Sequence, residues 1–141
     1  MFVVRNTGTL VYQYDLSTAW DVSTISFSTK YDVSDEDQLR SLTFKPDGSR
    51  MYVTGNENEK IKEYSLSTPW DITTSNVTHV RDSVALTSTD NNPRNIQFSK
   101  EGTEFYYAGN GSNNMHKFTL STAWDVSTLS SSATTFDLGD R

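Results

Sequence analysis

The feature that most constrains the fold is a segment that occurs three times with little change. Residues 14–24 read YDLSTAWDVST, residues 64–74 read YSLSTPWDITT, and residues 118–128 read FTLSTAWDVST. The tryptophans stand at positions 20, 70 and 124. Repetition at intervals of about fifty residues indicates several copies of one supersecondary unit. The chain is therefore expected to be an array of similar parts.

A second repeated element precedes the tryptophan in two of the copies. Residues 42–55 read LTFKPDGSRMYVTG and residues 96–109 read IQFSKEGTEFYYAG. Apolar and polar residues alternate on both sides of Pro46-Asp47-Gly48, a composition that favours a tight hairpin turn. The complete unit is predicted to contain four strands, at residues 40–45, 51–54, 60–66 and 76–84. Four antiparallel strands with a period near fifty residues are typical of a β-propeller blade.

The register of the repeat predicts how the blades divide the chain. Met1 aligns with Met51, so the chain opens on a second strand, and the first blade lacks its innermost strand. We therefore predict an all-β fold with eleven antiparallel strands in one domain. Three four-stranded blades, the first incomplete, are expected at residues 1–37, 38–91 and 92–141.

Three blades are too few to close a ring, because propellers typically have four to eight. Two alternatives follow. Two copies could close head-to-tail into a six-bladed homodimer, or the chain could be a piece of a longer propeller that begins at an internal methionine. We expect the homodimer.

Composition excludes several classes of partner. The net charge of −6 argues against nucleic acid and anionic membrane surfaces. The chain has no cysteine, which excludes disulfides and thiolate chemistry. Its longest apolar runs have three residues, so no membrane insertion is predicted. Ser and Thr are abundant while helix-favouring blocks are absent, in keeping with β structure.

The sequence also resembles a known type of repeat. Residues 44–55 (FKPDGSRMYVTG), followed by residues 61–66 (IKEYSL), look like the YVTN-type β-propeller repeat, which is similar to surface-associated and lactonase-like propellers. The Leu-Ser-Thr-x-Trp-Asp extension resembles propeller repeats of marine bacterial and phage sequences. The third copy departs from the pattern, with Lys100-Glu101-Gly102 in place of Pro-Asp-Gly. The resemblance implies a propeller fold, and propellers host enzymes, lectins and scaffolds alike.

The first candidate binding residues are Trp20, Trp70 and Trp124. On a rim their rings could stack on sugars, because an apolar ring face suits a carbohydrate C–H surface. Alternatively each ring packs between blades, while the following aspartate caps the turn by accepting backbone N–H bonds. Repetition in every blade favours the architectural role.

Arg40 and Arg94 are the second pair of candidates. Both stand two residues before the start of an innermost strand, which lines the central channel of a propeller, so they could hold an anion there. The alternative is an ion pair between blades, with an acidic residue such as Asp82 or Asp32 as the partner. The alternative is favoured because arginine so often pairs with carboxylates.

The remaining candidates for metal binding or catalysis are weaker. Residues 34–37 and 89–92 are oxygen-rich loops, but they lack Ca²⁺-loop spacing and are predicted to be solvated. His79 and His116 have no partner at ligand spacing. No nucleophile elbow, phosphate-binding glycine loop or His-Glu-x-x-His motif occurs. No metal or other cofactor is predicted.

These observations predict a non-catalytic binding or structural module, expected at a cell surface or on a virion, whose ligand is a glycan or a protein. One alternative is a fragment of a metal-dependent, lactonase-like propeller hydrolase. Another is an architectural repeat without a small-molecule ligand.

Overall fold

The structure is a computed structural model that describes residues 1–34, 36–56, 58–86, 93–109 and 111–139. The strands of the described residues are β1 (Phe2–Val4), β2 (Leu10–Leu16), β3 (Ile25–Asp32), β4 (Ser41–Phe44), β5 (Arg50–Thr54), β6 (Ile61–Leu66), β7 (Val77–Asp82), β8 (Asn95–Phe98), β9 (Glu104–Ala108), β10 (Asn114–Thr119) and β11 (Thr134–Asp137). Short 3-10 turns lie at Val22–Thr24, Thr74–Asn76 and Val126–Thr128. This part of the chain contains no helix with the length and apolarity that a membrane span requires.

The strands form three separate antiparallel sheets. The first has the order β1-β2-β3, the second β4-β5-β6-β7, and the third runs from β8 through β9 and β10 to β11. The prediction of an all-β fold with three blades, of which the first lacks its innermost strand, is therefore confirmed. The blade boundaries and the closure of a ring by a second copy stay predictions.

The hydrophobic core lies between neighbouring sheets, in two clusters. Consecutive residues of β5 show how this arises, because side chains alternate between the two faces of a strand. Tyr52 belongs to the cluster against the third sheet, whereas Met51 and Val53 belong to the cluster against the first. All three side chains are fully buried. The middle sheet is thus covered on both faces, as in a stack of blades.

One hydrogen bond recurs at both junctions between sheets. The side-chain oxygen Oε1 of Gln13 accepts the backbone N–H of Ile72 at 3.0 Å. At the equivalent position of the next sheet, Oε2 of Glu63 accepts the N–H of Val126 at 3.3 Å. The third sheet carries Lys117 at this position, and an ammonium group can only donate. The acceptor that joins one sheet to the next is therefore replaced by a donor in the last sheet.

The charges around this position are also exchanged. In the second sheet Arg50 lies 3.2 Å from the carboxylate of Glu63. In the third sheet the corresponding pair is Glu104 and Lys117, at 3.0 Å. The second and third sheets thus each keep an ion pair across their two middle strands, with the signs reversed.

Candidate functional site

Each repeated tryptophan stands at a tight turn that its aspartate caps. Trp20, Trp70 and Trp124 all have positive φ, between 63° and 66°. Oδ1 of Asp125 accepts the backbone N–H of Ser127 at 3.0 Å, which caps the 3-10 turn that follows. Asp21 and Asp71 accept the corresponding N–H groups at 3.0 and 2.8 Å.

These hydrogen bonds keep the capping carboxylates ionised. The side-chain and backbone hydrogen bonds from Ser23 lower the pKa of Asp21, and those from Thr73 lower the pKa of Asp71. The capping role that the sequence offers for these aspartates is thus seen in the structure.

Two of the three tryptophans lie flat on a glycine of their own sheet. A Cβ built on Gly48 would lie 2.3 Å from the indole of Trp70, and one built on Gly102 would lie 2.3 Å from that of Trp124. The backbone supports the contact, because Trp124 N donates to Gly102 O at 2.9 Å and Trp70 N to Gly48 O at 3.1 Å. Both glycines also have positive φ. Only glycine fits under these rings.

The sequence contains a signal for this contact that pattern analysis missed. The glycine precedes its tryptophan by the same interval in both complete blades, from Gly48 to Trp70 and from Gly102 to Trp124. The β-strands between the two residues fold back on the hairpin. The constant interval therefore brings the indole ring into contact with the glycine at the hairpin turn. One face of each indole is occupied by its own blade and is closed to a ligand.

Trp124 also contacts the neighbouring sheet. Its ring centroid lies 5.2 Å from that of Phe98 in its own sheet and 6.3 Å from that of Tyr52 in the second sheet. The ring of Trp70 packs on Phe44, within its own sheet, at 5.2 Å. The contacts of Trp70 and Trp124 therefore fit an architectural role. The ring of Trp124 packs between two sheets, whereas that of Trp70 packs within its own sheet.

Trp20 is in a different environment. Its side chain is 97% exposed, against 42% for Trp70. It borders an open pocket of about 590 Å³ whose other walls include Met1, Tyr14 and Leu16. Within the described residues nothing covers either face of the Trp20 ring, whereas Trp70 and Trp124 each have one face against a glycine.

The two candidate arginines line one pocket. Arg40 precedes β4 and Arg94 precedes β8, and both border a cavity of about 260 Å³ together with Val4, Asn6 and Leu39. The pocket lies where the inner strands of neighbouring sheets begin. The sequence placed the two arginines in equivalent positions, and the structure brings them to one cavity.

Arg40 is held in place by neutral groups. Its Nη1 donates to Oδ1 of Asn6, and its Nη2 donates to Oε1 of Gln38 at 2.9 Å. Its Nε is buried and has no hydrogen-bond partner among the described residues. Arg94 is exposed and forms no ion pair within the described ranges. The pocket therefore concentrates positive charge that no carboxylate of the described chain neutralises.

The favoured alternative for the arginines, an ion pair with Asp82 or Asp32, is wrong for the described structure. Asp82 instead accepts a hydrogen bond of 2.8 Å from Nε2 of His79, and it lies 3.8 Å from the ammonium group of Lys62. Asp32 and Asp82 end β3 and β7, the outer strands of their sheets, whereas the two arginines precede inner strands. The ion pair between blades is made by Arg81, which contacts Asp125 and lies 3.5 Å from Glu63.

Comparison with solved structures identifies the architecture. No family model matches the sequence, and neither does any curated protein. A candidate 6-phosphogluconolactonase from Bacteroides fragilis matches 96% of the chain with a TM-score of 0.64 and 16% identity. The periplasmic gluconolactonase of Pseudomonas aeruginosa matches 98% with a TM-score of 0.66 and 12% identity, and a protein from Lactobacillus plantarum matches 94% with 0.65 and 22%.

The chain has a β-propeller fold. At these identities the likeness shows the fold alone. The propeller segment described here spans 36 to 37% of the length of those three structures.

The propeller's acidic loop was predicted to be solvated, and this is wrong for one residue. Glu36 is buried, and its Oε1 accepts the backbone N–H of Asn58 at 3.2 Å. A Cβ on Gly55 would lie 2.3 Å from Cγ of Glu36, so the loop is closely packed on the second sheet. The equivalent loop at residues 89–92 lies outside the described residues.

The described residues do not fit a resident metal ion. They include no group of three or more His, Cys, Asp or Glu side chains that could hold one. The inner pocket instead offers guanidinium donors, which repel a divalent cation. A metal-dependent mechanism that uses this pocket is therefore not supported by its side chains.

Proposed function

We propose that the chain is part of a lactonase-like propeller whose inner pocket binds the anionic group of a sugar-acid ligand through Arg40 and Arg94. The observation that carries the proposal is that both arginines line one cavity without a carboxylate partner in the described chain. The YVTN-type character of the repeat, with its Leu-Ser-Thr-x-Trp-Asp extension, is part of the same proposal.

The chemistry of the pocket suits a carboxylate or phosphate group. A guanidinium group presents a planar fork of donors that matches two oxygens of such an anion. The contacts to Asn6 and Gln38 fix the fork of Arg40 in advance, so little conformational freedom is lost on binding. The buried Nε of Arg40 is a further donor without a partner among the described residues. Each charge-assisted hydrogen bond contributes about 1.5 to 3 kcal/mol.

The names of the structural neighbours favour the hydrolase alternative over a binding module. One of them is named as a candidate 6-phosphogluconolactonase and another as a periplasmic gluconolactonase. In lactone hydrolysis the carbonyl oxygen gains negative charge, which a guanidinium group stabilises. The five residues that line the pocket include no carboxylate or imidazole that could activate water. We therefore propose that this segment contributes anion binding and that the catalytic base is supplied by another part of a complete ring.

The proposal is tested by binding of two related anions. 6-Phosphogluconate and gluconate are titrated into the protein by calorimetry at low salt, and inorganic phosphate serves as a third probe. Arg40→Gln and Arg94→Gln are each expected to weaken binding by about 10- to 100-fold. Lys100→Gln is the matched control, because Lys100 is an exposed cation at the opposite end of β8.

The three probes also separate the recognised groups. Tighter binding of 6-phosphogluconate than of gluconate would assign the site to the phosphate. Equal affinity would assign it to the carboxylate. Binding that is absent, or that is weakened equally by Lys100→Gln, would contradict the proposal.

A second candidate function rests on Trp20. Its exposed ring is the one of the three that a sugar could cover on either face, as a non-catalytic glycan-binding module would require. Glycan-array binding that is lost in Trp20→Ala, and kept in Arg94→Gln, would favour this module.

A further inference from the structure

A further cavity lies at the junction of the second and third sheets, beside the turn of Trp124. Its volume is about 220 Å³. Lys45, which follows the end of β4, borders this cavity, whereas Arg40, which precedes the start of β4, borders the inner pocket. The two sites therefore lie at opposite ends of one strand. The junction cavity is lined by Lys45, Arg50, Arg81, Glu63, Asp125 and Trp124, among others.

The cations of the junction cavity are more accessible than its central carboxylate. Arg50 and Arg81 both pair with Glu63, at 3.2 and 3.5 Å. Each arginine side chain is about a third exposed, whereas that of Glu63 is 2% exposed. A ligand that enters the cavity therefore meets the guanidinium groups before it meets the carboxylate.

The acceptors of the junction cavity already receive protein donors. The backbone N–H of Val126 binds Oε2 of Glu63 at 3.3 Å, beside the two arginines. The carboxylate of Asp125 receives Ser127 on one oxygen and Arg81 on the other. Each guanidinium group carries several further N–H donors, and within the described ranges these have no other hydrogen-bond or ion-pair partner. The capacity left for a ligand is therefore mainly that of a donor set.

We propose that the junction cavity binds the carboxylate group of a small organic acid. The remaining donors of Arg50 and Arg81, with the ammonium group of Lys45, bind its two oxygens. Three cations and two carboxylates leave the lining with one positive charge, which matches a monoanion. The ring of Trp124 offers apolar contact to the rest of the acid, and the small volume limits that part to a few atoms.

Other ligands fit the junction cavity less well. A metal ion would face three cationic side chains, and both carboxylates are already engaged. A neutral sugar would need acceptors for its hydroxyl protons. Lys45 pairs with Asp47 at 2.8 Å, but its ammonium group has further N–H donors for the acid. The inference does not depend on the proposed anion binding at Arg40 and Arg94, because that pocket lies at the other end of β4.

The experiment follows the indole N–H signal of Trp124 by NMR while acetate is titrated at constant ionic strength. Acetamide has nearly the same shape without the charge and is the control ligand, and inorganic phosphate is the third probe. The indole signals are assigned from Trp20→Phe and Trp70→Phe, which leave Trp124 unchanged. We expect acetate to shift the Trp124 signal until it saturates, and acetamide to leave it in place.

Substitutions of the carboxylate and of an arginine should act in opposite directions. Glu63→Gln removes the competing charge but keeps an oxygen for Val126, as Gln13 provides one for Ile72 at the first junction. It should tighten acetate binding by about 3-fold or more, because both guanidinium groups are released. Arg50→Gln added to Glu63→Gln should then weaken binding by about 10-fold. The double variant leaves no buried carboxylate without its partner.

Lys30→Gln is the matched control, since Lys30 is an exposed cation on β3 of the first sheet, and it should leave acetate binding unchanged. Tighter binding of phosphate than of acetate would overturn the assignment to a monoanionic carboxylate. A Trp124 signal that does not move, or that moves equally with acetamide, would overturn the proposal. Unchanged or weaker binding in Glu63→Gln would also overturn it, because the charges would then serve only to join the two sheets.

Discussion

The hydroxyl of Tyr52 donates a hydrogen bond of 2.8 Å to the backbone carbonyl of Trp124. The bond crosses from the second sheet to the third and ends on the residue whose ring covers Gly102. Burial raises the pKa of Tyr52, so the phenol stays protonated and remains a donor. One side chain thus links the inner face of one blade to the tryptophan turn of the next.

Removing this donor should destabilise the junction between the sheets. Tyr52→Phe keeps the ring but leaves the carbonyl of Trp124 without this bond, at a cost of about 1 kcal/mol in the free energy of unfolding. Tyr14→Phe is the control, because no hydrogen bond of its hydroxyl occurs within the described residues. Urea denaturation of both variants measures the difference, and equal midpoints would argue against the bond's contribution.

The glycine under Trp124 should be far less tolerant of a side chain than a glycine of the same conformation elsewhere. Gly102 and Gly139 have φ of 71° and 72°, but nothing lies within 4 Å of a Cβ at Gly139. Alanine at Gly139 should cost about 1 to 2 kcal/mol for the left-handed backbone. Alanine at Gly102 should cost about 2 kcal/mol more, because the indole must move.

Thermal denaturation of the two variants measures this difference. In the Trp124→Ala background the extra cost of Gly102→Ala should largely vanish, since the colliding ring is gone. An unchanged cost in that background would show that the ring is not the obstacle.

Truncating a buried side chain of either core cluster should destabilise the packing between the sheets. Leu66 is 5% exposed in one cluster and Phe98 is 6% exposed in the other. Leu66→Ala and Phe98→Ala should each lower the free energy of unfolding by about 2 to 5 kcal/mol. Leu138→Ala, at a residue that is 51% exposed, should change it by less than about 0.5 kcal/mol. Midpoints close to that of the wild type for both core variants would refute the packing.

The contribution of Glu63 to the free energy of unfolding should decrease as pH rises. Burial raises its pKa, against the hydrogen bond from Val126 and the charges of Arg81 and Arg50. The folded state therefore holds this proton more tightly than the unfolded state. The contribution of Glu63 to stability is greatest below its unfolded pKa, near 4.5, and falls as pH rises through the higher folded pKa.

Glu63→Gln removes this titration but keeps an oxygen that can accept the N–H of Val126. The Tm of the variant relative to the wild type should therefore increase between pH 4 and pH 7. A relative Tm that stays constant or falls over this interval would contradict the raised pKa.

The homodimer expected from the blade count predicts a mass near twice 15.9 kDa in light scattering. Exposed aromatic residues on the outer sheets, such as Phe27 (60%) and Phe136 (45%), would be covered by such closure. Phe27→Ser should then lower the mass to that of one chain, whereas Lys100→Gln should leave it unchanged. A single-chain mass for the unmodified protein at all concentrations would contradict ring closure by two copies.

The fold was predictable from the sequence because it is repeated. Alternation around Pro46-Asp47-Gly48 and the recurrence of the tryptophan segment locate the strands to within two residues, as in the second sheet. The bounds differ most at the fourth strand, which ends at Asp82 instead of Val84. There β7 ends because its partner β6 begins at Ile61, and a bulge opposite Glu63 and Tyr64 also shifts the register. Such irregularities leave little trace in a hydrophobic pattern.

The candidate site was predictable only in part. Equivalent positions in the repeat indicate that Arg40 and Arg94 share a location, and the structure gives them a common pocket. Their partners were missed because Asn6 and Gln38 lie in irregular segments that no periodicity describes. The burial of Glu36 was missed for the same reason. An acidic side chain in a loop is expected to be solvated unless a neighbour such as Asn58 donates hydrogen bonds to it.

The exchange of Glu63 for Lys117 has a consequence for how such an array can change through evolution. A duplicated or transposed third blade would present its ammonium group to the backbone N–H that Glu63 now receives. Two donors would then face each other, and the junction would lose its bond and gain repulsion. Internal copies of this chain are therefore similar without being interchangeable. The third blade therefore cannot take the place of the second without loss of the hydrogen bond between the sheets.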